Sequence, residues 1–317
     1  MSVPAVPLVT LGASGIRVSR LALGSWRTYD RIGREQGIAV MRTAREAGLN
    51  FLDDARYNDE TGRAPIPSGY SEVVFGDLFR AAGWRRDDTV VSNKLWWEFW
   101  PEQSPAQELA ESLARMRFEH VDLIYSEVPP DSVRLEDAVG MITGLIQAGM
   151  ARAWGTLNWT PEQMEQAGQI AGREGVPGPV ATQPPYSLVR REIVEDPAMA
   201  RLVAAGQVAI VASYTLAGGI LTGKYDQEPG AGRAAGMLEQ PRMAPAKVAG
   251  RDLAVLARDT GIDPAQLAMA FALINPAVTT VLFGATRPDQ VRANVGALAV
   301  ADRLTPDERD RLAAIGR

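Results

Sequence analysis

The chain has no cysteine and a single histidine, His120. Without thiols there can be no disulfide, no thiolate nucleophile and no thiolate metal site, and one imidazole leaves too little for a transition-metal centre. No apolar run approaches the roughly 18 residues that a membrane span requires, and Met1 to Thr10 lacks the charged and apolar regions of a signal peptide. A cytoplasmic protein without a membrane partner is expected. Basic blocks are missing too, and a formal net charge of −5 with mixed signs throughout argues against nucleic acid or an anionic lipid surface. Composition leaves a small-molecule substrate, neutral or cationic, and says nothing of oligomeric state.

What is present is one repeated form, an apolar run that stops at a polar tip. Leu49 to Asp59 begins as a buried strand and ends abruptly in Asp53 and Asp54. Thr89 to Lys94 ends in a lysine, Val121 to Glu127 in a glutamate, Ala153 to Asn158 in an asparagine and Val180 to Gln183 in a glutamine. These tips, roughly 25 to 40 residues apart with helical pattern between them, meet only if the strands are parallel neighbours. Leu21 to Gly24 precedes them, with Ser25, Trp26 and Arg27 emerging at the same face, and Val208 to Ser213 and Thr279 to Phe283 follow. Eight such strands in 317 residues predict an α/β fold, a (β/α)8 TIM barrel spanning 1–317 as a single domain.

Around the barrel, Val9 to Val18 alternates about Gly12 and Gly15, which predicts an N-terminal β-hairpin over 8–20 that closes the far end. Ser104, Thr160, Asp263 and Thr305 each stand before a proline, with Gln or Glu three positions on, and so predict capped helix starts, the last opening a C-terminal helix. Stripes such as Ile38, Met41 and Ala44, or Leu109, Leu113 and Met116, suit packing on a sheet. The stretch 224–247, rich in Gly, Pro and Arg, is too long and polar for an ordinary connection and predicts a mobile flap.

Four stretches, Gly12 to Gly15, Asn50 to Asp53, Leu221 to Tyr225 and Gly284 to Gln290, in this order, resemble the aldo-keto reductases, and the resemblance runs from about Leu8 to Leu298. It implies NADP(H) lying across the catalytic face of a barrel, with 224–247 as a cofactor flap, and an NADPH-dependent oxidoreductase that transfers hydride to a substrate carbonyl. Relatives of this kind include the β subunits of voltage-gated potassium channels, so the alternative is an NADPH-binding regulatory or partner subunit with little catalytic activity.

The family's catalytic set is Asp, Tyr, Lys and His. Asp53 and Lys94 match the first and third. A buried lysine beside a carboxylate keeps its charge and favours ionisation of a neighbouring tyrosine. The ungapped tyrosine position holds Asn58, whereas Tyr57 stands one residue earlier and Tyr70 follows an insertion, Asp59 to Gly69; Tyr57 is the expected acid. At the histidine position stands Glu127, an exchange shared with the steroid double-bond reductases of the family, which extends the expected reaction from C=O to an activated C=C or C=N bond. His120 begins that strand, on the far side of the barrel, and reads as structural. Asp54, where the family has threonine, is expected to add negative charge near the mouth, and burial together with like charge from Asp53 and Asp54 is expected to favour protonated Glu127.

By the same resemblance Asn158 and Gln183 meet the nicotinamide carboxamide, with Leu157 in place of a serine. Ser213 holds the place of the stacking tyrosine and Tyr214 follows it. Lys224 approaches the pyrophosphate, and Arg287, Gln290 and Asn294 match contacts to the 2′-phosphate and adenine. Gly24, Ser25, Leu216, Gly218, Gly284 and Thr286 complete the expected cofactor set. Arginine at a helix start has its own logic, because its planar fork and the exposed backbone amides both favour a phosphate. Trp26, Trp96 and Trp97 are the expected substrate walls.

Overall fold

A computed structural model describes residues 6–227 and 234–317. Two short strands, β1 (Leu8–Thr10) and β2 (Arg17–Ser19), pair antiparallel with Leu8 opposite Ser19, the expected hairpin. Its turn presses on the barrel floor. Gly12 has φ 51°, and a Cβ there would stand 2.2 Å from the carbonyl oxygen of Val180, so only glycine allows the approach. Leu11, Ile16 and Val18 are buried in one cluster with Phe51, Leu123 and Val211 from the barrel interior, which is how the hairpin closes that end.

Among the described residues, eight parallel strands close on themselves. They are β3 (Leu21–Gly24), β4 (Phe51–Asp53), β5 (Val90–Leu95), β6 (Val121–Ser126), β7 (Ala151–Thr156), β8 (Ala181–Thr182), β9 (Ala209–Ala212) and β10 (Val278–Phe283). β10 returns to β3 with Val281 opposite Leu21. This is the expected (β/α)8 barrel, with all strand C-terminal ends on one face. Each strand is covered on both sides, which is why the strands read as continuous apolar runs. The outer layer buries Trp154, Phe75, Leu78, Met116 and Ile142 between strands and helices.

The helix starts follow the capping chemistry. Ser104, Thr160 and Thr305 each accept from the backbone N–H three residues on while the Gln or Glu there reaches back, and Asp263 accepts from the N–H groups of Ala265 and Gln266. Asp196 accepts from the N–H of Ala198 alone before Pro197, opening helix Pro197–Ala204, a start outside the fourfold pattern because Met199 cannot reach back. Two strand ends differ from expectation. β7 runs from Ala151 to Thr156, and Asn158 leaves it at φ 62°, a left-handed turn that asparagine tolerates. β8 holds two residues, so Gln183 lies just past its end.

Within 224–247, Lys224–Gln227 is helical, Ala235–Met237 and Pro241–Met243 are single 3-10 turns, and a long helix, Ala244–Thr260, begins. Positions 228–233 of the expected flap lie outside the described residues. Among the described residues no helix is long and apolar enough to cross a membrane.

Helix Tyr70–Ala81, which follows β4, packs on helix Pro105–Met116 through Gly76, where an added Cβ would stand 2.2 Å from the backbone oxygen of Met116. Gly76→Ala is therefore expected to destabilise the fold by about 1–3 kcal/mol, the usual cost of overpacking. Thermal denaturation measures this, and an unchanged midpoint would show that the two helices have room to spare.

Candidate active site

Asp53 ends β4 and Lys94 lies near the end of β5, both buried. Lys94 Nζ donates to Asp53 Oδ2 at 2.8 Å, while Asp53 Oδ1 accepts from Ser92 Oγ at 2.7 Å and Gln183 Nε2 at 2.9 Å. The ammonium has two further acceptors, the backbone oxygen of Asp54 at 3.3 Å and the Tyr57 hydroxyl at 3.5 Å. Three acceptors match the three hydrogens of the ammonium.

The insertion explains why Tyr57 and not Asn58 reaches the lysine. Its two ends pair, with Asp59 N–H on the oxygen of Pro67 at 2.8 Å and Gly69 N–H on the oxygen of Tyr57 at 2.9 Å. Inside the loop the Asp59 carboxylate accepts from Thr61 and Ala64, and the Thr61 hydroxyl is the leading cause of a pKa lowered to about 2. Asn58 faces solvent and donates to Glu98 at 3.3 Å. Tyr70 opens the next helix and lines the cleft above. Of the three candidates, Tyr57 is the one whose side chain is bonded to Lys94.

Arg56 is buried and engaged elsewhere: its guanidinium meets Glu98 at 2.9 Å, the Ser68 hydroxyl at 2.9 Å and the buried Glu108 at 3.4 Å, and lies over the Phe99 ring. Glu108 also accepts from the backbone N–H groups of Trp96 at 2.9 Å and Trp97 at 3.2 Å. One carboxylate thus joins the residue before Tyr57 to the aromatic loop. No motif announces Arg56 or Glu108, whose partners are remote in sequence.

Glu127 follows β6 and is half-buried, with Oε2 accepting from Asn158 Nδ2 at 2.8 Å and Oε1 from the Val128 N–H at 3.3 Å. Burial raises its pKa, while the two donors pull it back. Of the two expected causes, burial acts as expected and repulsion by Asp53 and Asp54 is corrected, since desolvation alone raises it. Asp54 is corrected also. It adds no exposed charge at the mouth but is fully buried, accepting a short hydrogen bond from Ser25 Oγ, and its Oδ2 has no partner. Burial, then the nearby Glu72, push its pKa well above the usual range, so the neutral acid is favoured.

The expected cofactor residues divide along the opposite rim. Ser213 Oγ donates to the oxygen of Pro184 at 3.0 Å, and Tyr214, at φ 57°, sets its ring 6.3 Å from that of Trp26 and 5.5 Å from the Arg190 guanidinium. Beyond Leu216, Gly218 and Gly219 turn left-handed at φ 69° and 92°. A Cβ on Gly219 would stand 2.8 Å from Lys224 Cε and 3.0 Å from its Nζ, so the lysine lies directly against a side-chain-free stretch of backbone. Gly284 and Thr286 lead from β10 to helix Pro288–Val295, where Gln290 accepts from the Thr286 N–H at 2.8 Å and Asn294 is buried. Arg287 is exposed and paired with Asp289 at 3.2 Å.

Above the floor lies a cleft of about 490 Å3 lined by Trp26, Tyr57, Tyr70 and Trp96 together with charged residues that include Arg27, Arg31, Arg56, Glu60 and Glu98. Trp97 is corrected: it is buried, its indole N–H donates to Ser126 Oγ at 2.9 Å, and its ring meets Trp100 edge-on, away from the cleft. A larger groove on the flank, about 700 Å3 around Trp100, Glu136 and Met141, includes none of these strand-end side chains. His120 lies at the other end of β6, where burial lowers its pKa.

Known proteins are similar to this chain over nearly its whole length. A family model described as "Aldo/keto reductase family" matches residues 20–317. A protein of Oryza sativa subsp. japonica is 33% identical over 96% of this chain and 95% of its own length. One of Schizosaccharomyces pombe is 33% identical over 95% and 91%, and one of Arabidopsis thaliana 31% identical over 95% and 94%. All three are named as voltage-gated potassium channel subunits beta.

The raised pKa of Asp54 makes stability depend on pH with a defined sign. The folded state holds a proton that the unfolded chain releases, so stability is fully present below the ordinary carboxylate pKa and falls as pH rises toward the folded value. Asp54→Asn mimics the neutral acid and removes this dependence. Against wild type it is expected to be equally stable in acid and increasingly more stable at higher pH, the difference growing by at most about 1.4 kcal/mol per pH unit. Denaturant titrations across pH measure it, and parallel curves would mean that Asp54 is ionised in the fold.

Proposed function

The chain belongs to the aldo/keto reductase family, and on that premise we propose that it is an NADPH-dependent oxidoreductase that reduces an activated C=C or C=N bond in preference to a simple carbonyl. The observation that carries the reading is the Tyr57 hydroxyl 3.5 Å from a lysine that is itself 2.8 Å from Asp53. Asp53 holds the ammonium, the ammonium makes the tyrosine oxygen easier to ionise, and Tyr57 delivers its proton to the reduced substrate. Glu127, favoured in its neutral form by burial, donates a hydrogen bond to a conjugated oxygen and draws electrons toward it, leaving positive character on the distant carbon. In its ionised form the same group would stabilise an iminium instead.

The cofactor reading is supported by the left-handed Gly218 and Gly219 beside Lys224, a surface suited to a pyrophosphate, and by the exposed Arg287 opening a helix. Bound there, the reduced nicotinamide supplies the hydride. Gly24, Ser25, Asn158, Gln183, Ser213 and Tyr214 would meet its nicotinamide half, Leu216, Gly218 and Lys224 the bridge, and Gly284, Thr286, Arg287, Gln290 and Asn294 the adenosine end. Trp26 and Trp96 wall the substrate. The names of the relatives favour a second reading, a cofactor-binding regulatory or partner subunit with little activity. Single-turnover mixing of the NADPH-loaded protein with an unsaturated ketone and with a saturated aldehyde decides: faster oxidation by the ketone supports the reductase, and none by either supports the subunit.

Tyr57→Phe is expected to cut turnover by about 100-fold or more, the usual contribution of a general acid, while Tyr70→Phe changes it little and NADPH affinity moves only a few-fold in both. The reverse order would transfer the acid role to Tyr70. Turnover of the unsaturated ketone should fall as pH rises through the raised pKa of Glu127, and the fall should vanish in Glu127→Gln. A rate that rises with pH would support the iminium reading.

Arg287→Ala is expected to weaken NADPH binding by about 10- to 100-fold, the loss of a charge-assisted pair, and to leave NADH binding nearly unchanged. Fluorescence titration with both nucleotides measures this. Equal losses would remove Arg287 from the 2′-phosphate.

A further inference from the structure

Glu108 is buried and takes no part in the proposed reaction, yet three donors of the catalytic face converge on its carboxylate. It stands in the first turn of helix Pro105–Met116, whose start is fixed by the capping pair of Ser104 and Gln107, so it projects from a rigid element. Its Oε1 accepts from the Trp96 backbone N–H at 2.9 Å and from Arg56 Nη2 at 3.4 Å, and its Oε2 accepts from the Trp97 N–H at 3.2 Å. Such a junction is hard to deform, because each bond lost would leave a polar group unsatisfied away from water.

The other anchors of these groups are weaker. Arg56 also meets Ser68 and Glu98, but Ser68 belongs to the insertion itself, and the Glu98 side chain is 42% exposed against 4% for Glu108, so its pairing contributes less. The buried indole N–H of Trp96 has no acceptor among the described residues, which leaves the backbone bond to Glu108 as its polar anchor. Trp97 stands at φ 59°, a conformation that costs energy for a bulky residue and persists only where its surroundings enforce it; Ser126 fixes its ring, and Glu108 its backbone N–H. Both branches lead to one residue. Arg56 directly precedes Tyr57, and the Trp96 ring lies 6.3 Å from the Tyr57 ring at an inclination of 54°.

We propose that Glu108 is a positioning residue of this site, which holds the Tyr57 hydroxyl and the Trp96 wall in one fixed relation. It is not among the residues that line the cleft and acts through Arg56 and Trp96, which are. A general acid serves only where it meets the atom it protonates, and the wall that orients the substrate must therefore be fixed relative to the acid; a displacement of about 1 Å can cost on the order of 100-fold in rate. This deepens the reductase reading and rests on it for the role of Tyr57.

Two measurements on the full chain test this. In protein carrying isotope-labelled tyrosine, the NMR signal of the Tyr57 ring is assigned among the seven tyrosines by its loss in Tyr57→Phe, and Trp96→Leu gives its position without the neighbouring indole. Glu108→Gln keeps the shape but loses one acceptor and the charge, and is expected to move the Tyr57 signal most of the way to the Trp96→Leu position. Glu108→Asp, one methylene shorter, keeps a carboxylate for folding and is expected to move the signal in the same direction, with circular dichroism checking the fold of each variant. A Glu108 that only stabilises the fold would lower the melting temperature and leave the signal in place. In single-turnover oxidation of bound NADPH by an unsaturated ketone, Glu108→Gln is expected to slow the reaction about 10- to 100-fold in the wild-type background and less than about two-fold in the Tyr57→Phe background, because groups that act as a unit are not additive. A signal unmoved in both Glu108 variants, or equal losses in the two backgrounds, would overturn the assignment. The reductase reading fails separately: if the signal moves as expected but the wild type oxidises no NADPH, Glu108 still positions Tyr57 and the protein is no reductase. If the wild type turns over and the signal stays, the reductase stands and the role of Glu108 falls.

Discussion

The buried ammonium of Lys94 is the constraint on which the catalytic face depends. A charge taken out of water must be matched by partners on every side, and losing one leaves a penalty of several kcal/mol, roughly what a whole domain has to spare. Here the partners come from separate parts of the chain: the carboxylate of Asp53 from β4, the backbone of Asp54, and the hydroxyl of Tyr57 at the foot of the insertion. Asp53 is in turn held from β5 by Ser92 and from beyond β8 by Gln183. Satisfying one charge therefore fixes the relative positions of three strand ends and a loop.

The displaced tyrosine shows how a loop can compensate for a shift in register. Moving a residue by one position normally turns its side chain away, because side chains alternate along extended backbone. The paired ends of the insertion hold the backbone around Tyr57, and Arg56, which must point the other way, is accepted into a buried site built by Glu108, Glu98 and Ser68. A buried guanidinium without those partners would be costly. The slip is tolerable because the insertion and the arginine site occur together.

This is also why the fold was more legible than the site. Strands covered on both faces leave continuous apolar runs, and helix starts such as Ser104 and Thr160 are written in neighbouring residues, so both can be read locally. The Asp53 and Lys94 pair was legible for the same reason, each being a polar tip on an apolar strand. Trp97 and Asp54 were misjudged because their fate depends on distant partners: the indole is drawn inward by Ser126 on β6, and the carboxyl by Ser25 after β3. Arg56 and Glu108, 52 positions apart, carry no local signal at all.

The two raised carboxyls of this face differ in kind, and the difference separates structure from chemistry. Asp54 is fully buried, and its carboxyl is held by the Ser25 hydroxyl and the Ala55 backbone N–H. The direction of its pKa shift favours the neutral acid, which lessens the negative charge beside Asp53. Glu127 is half-buried and bonded to the exposed Asn158, so its proton can respond both to pH and to whatever lies in front of it. Desolvation raises both groups, but only the half-buried one keeps contact with solvent, so only there is a raised pKa open to exchange without unfolding.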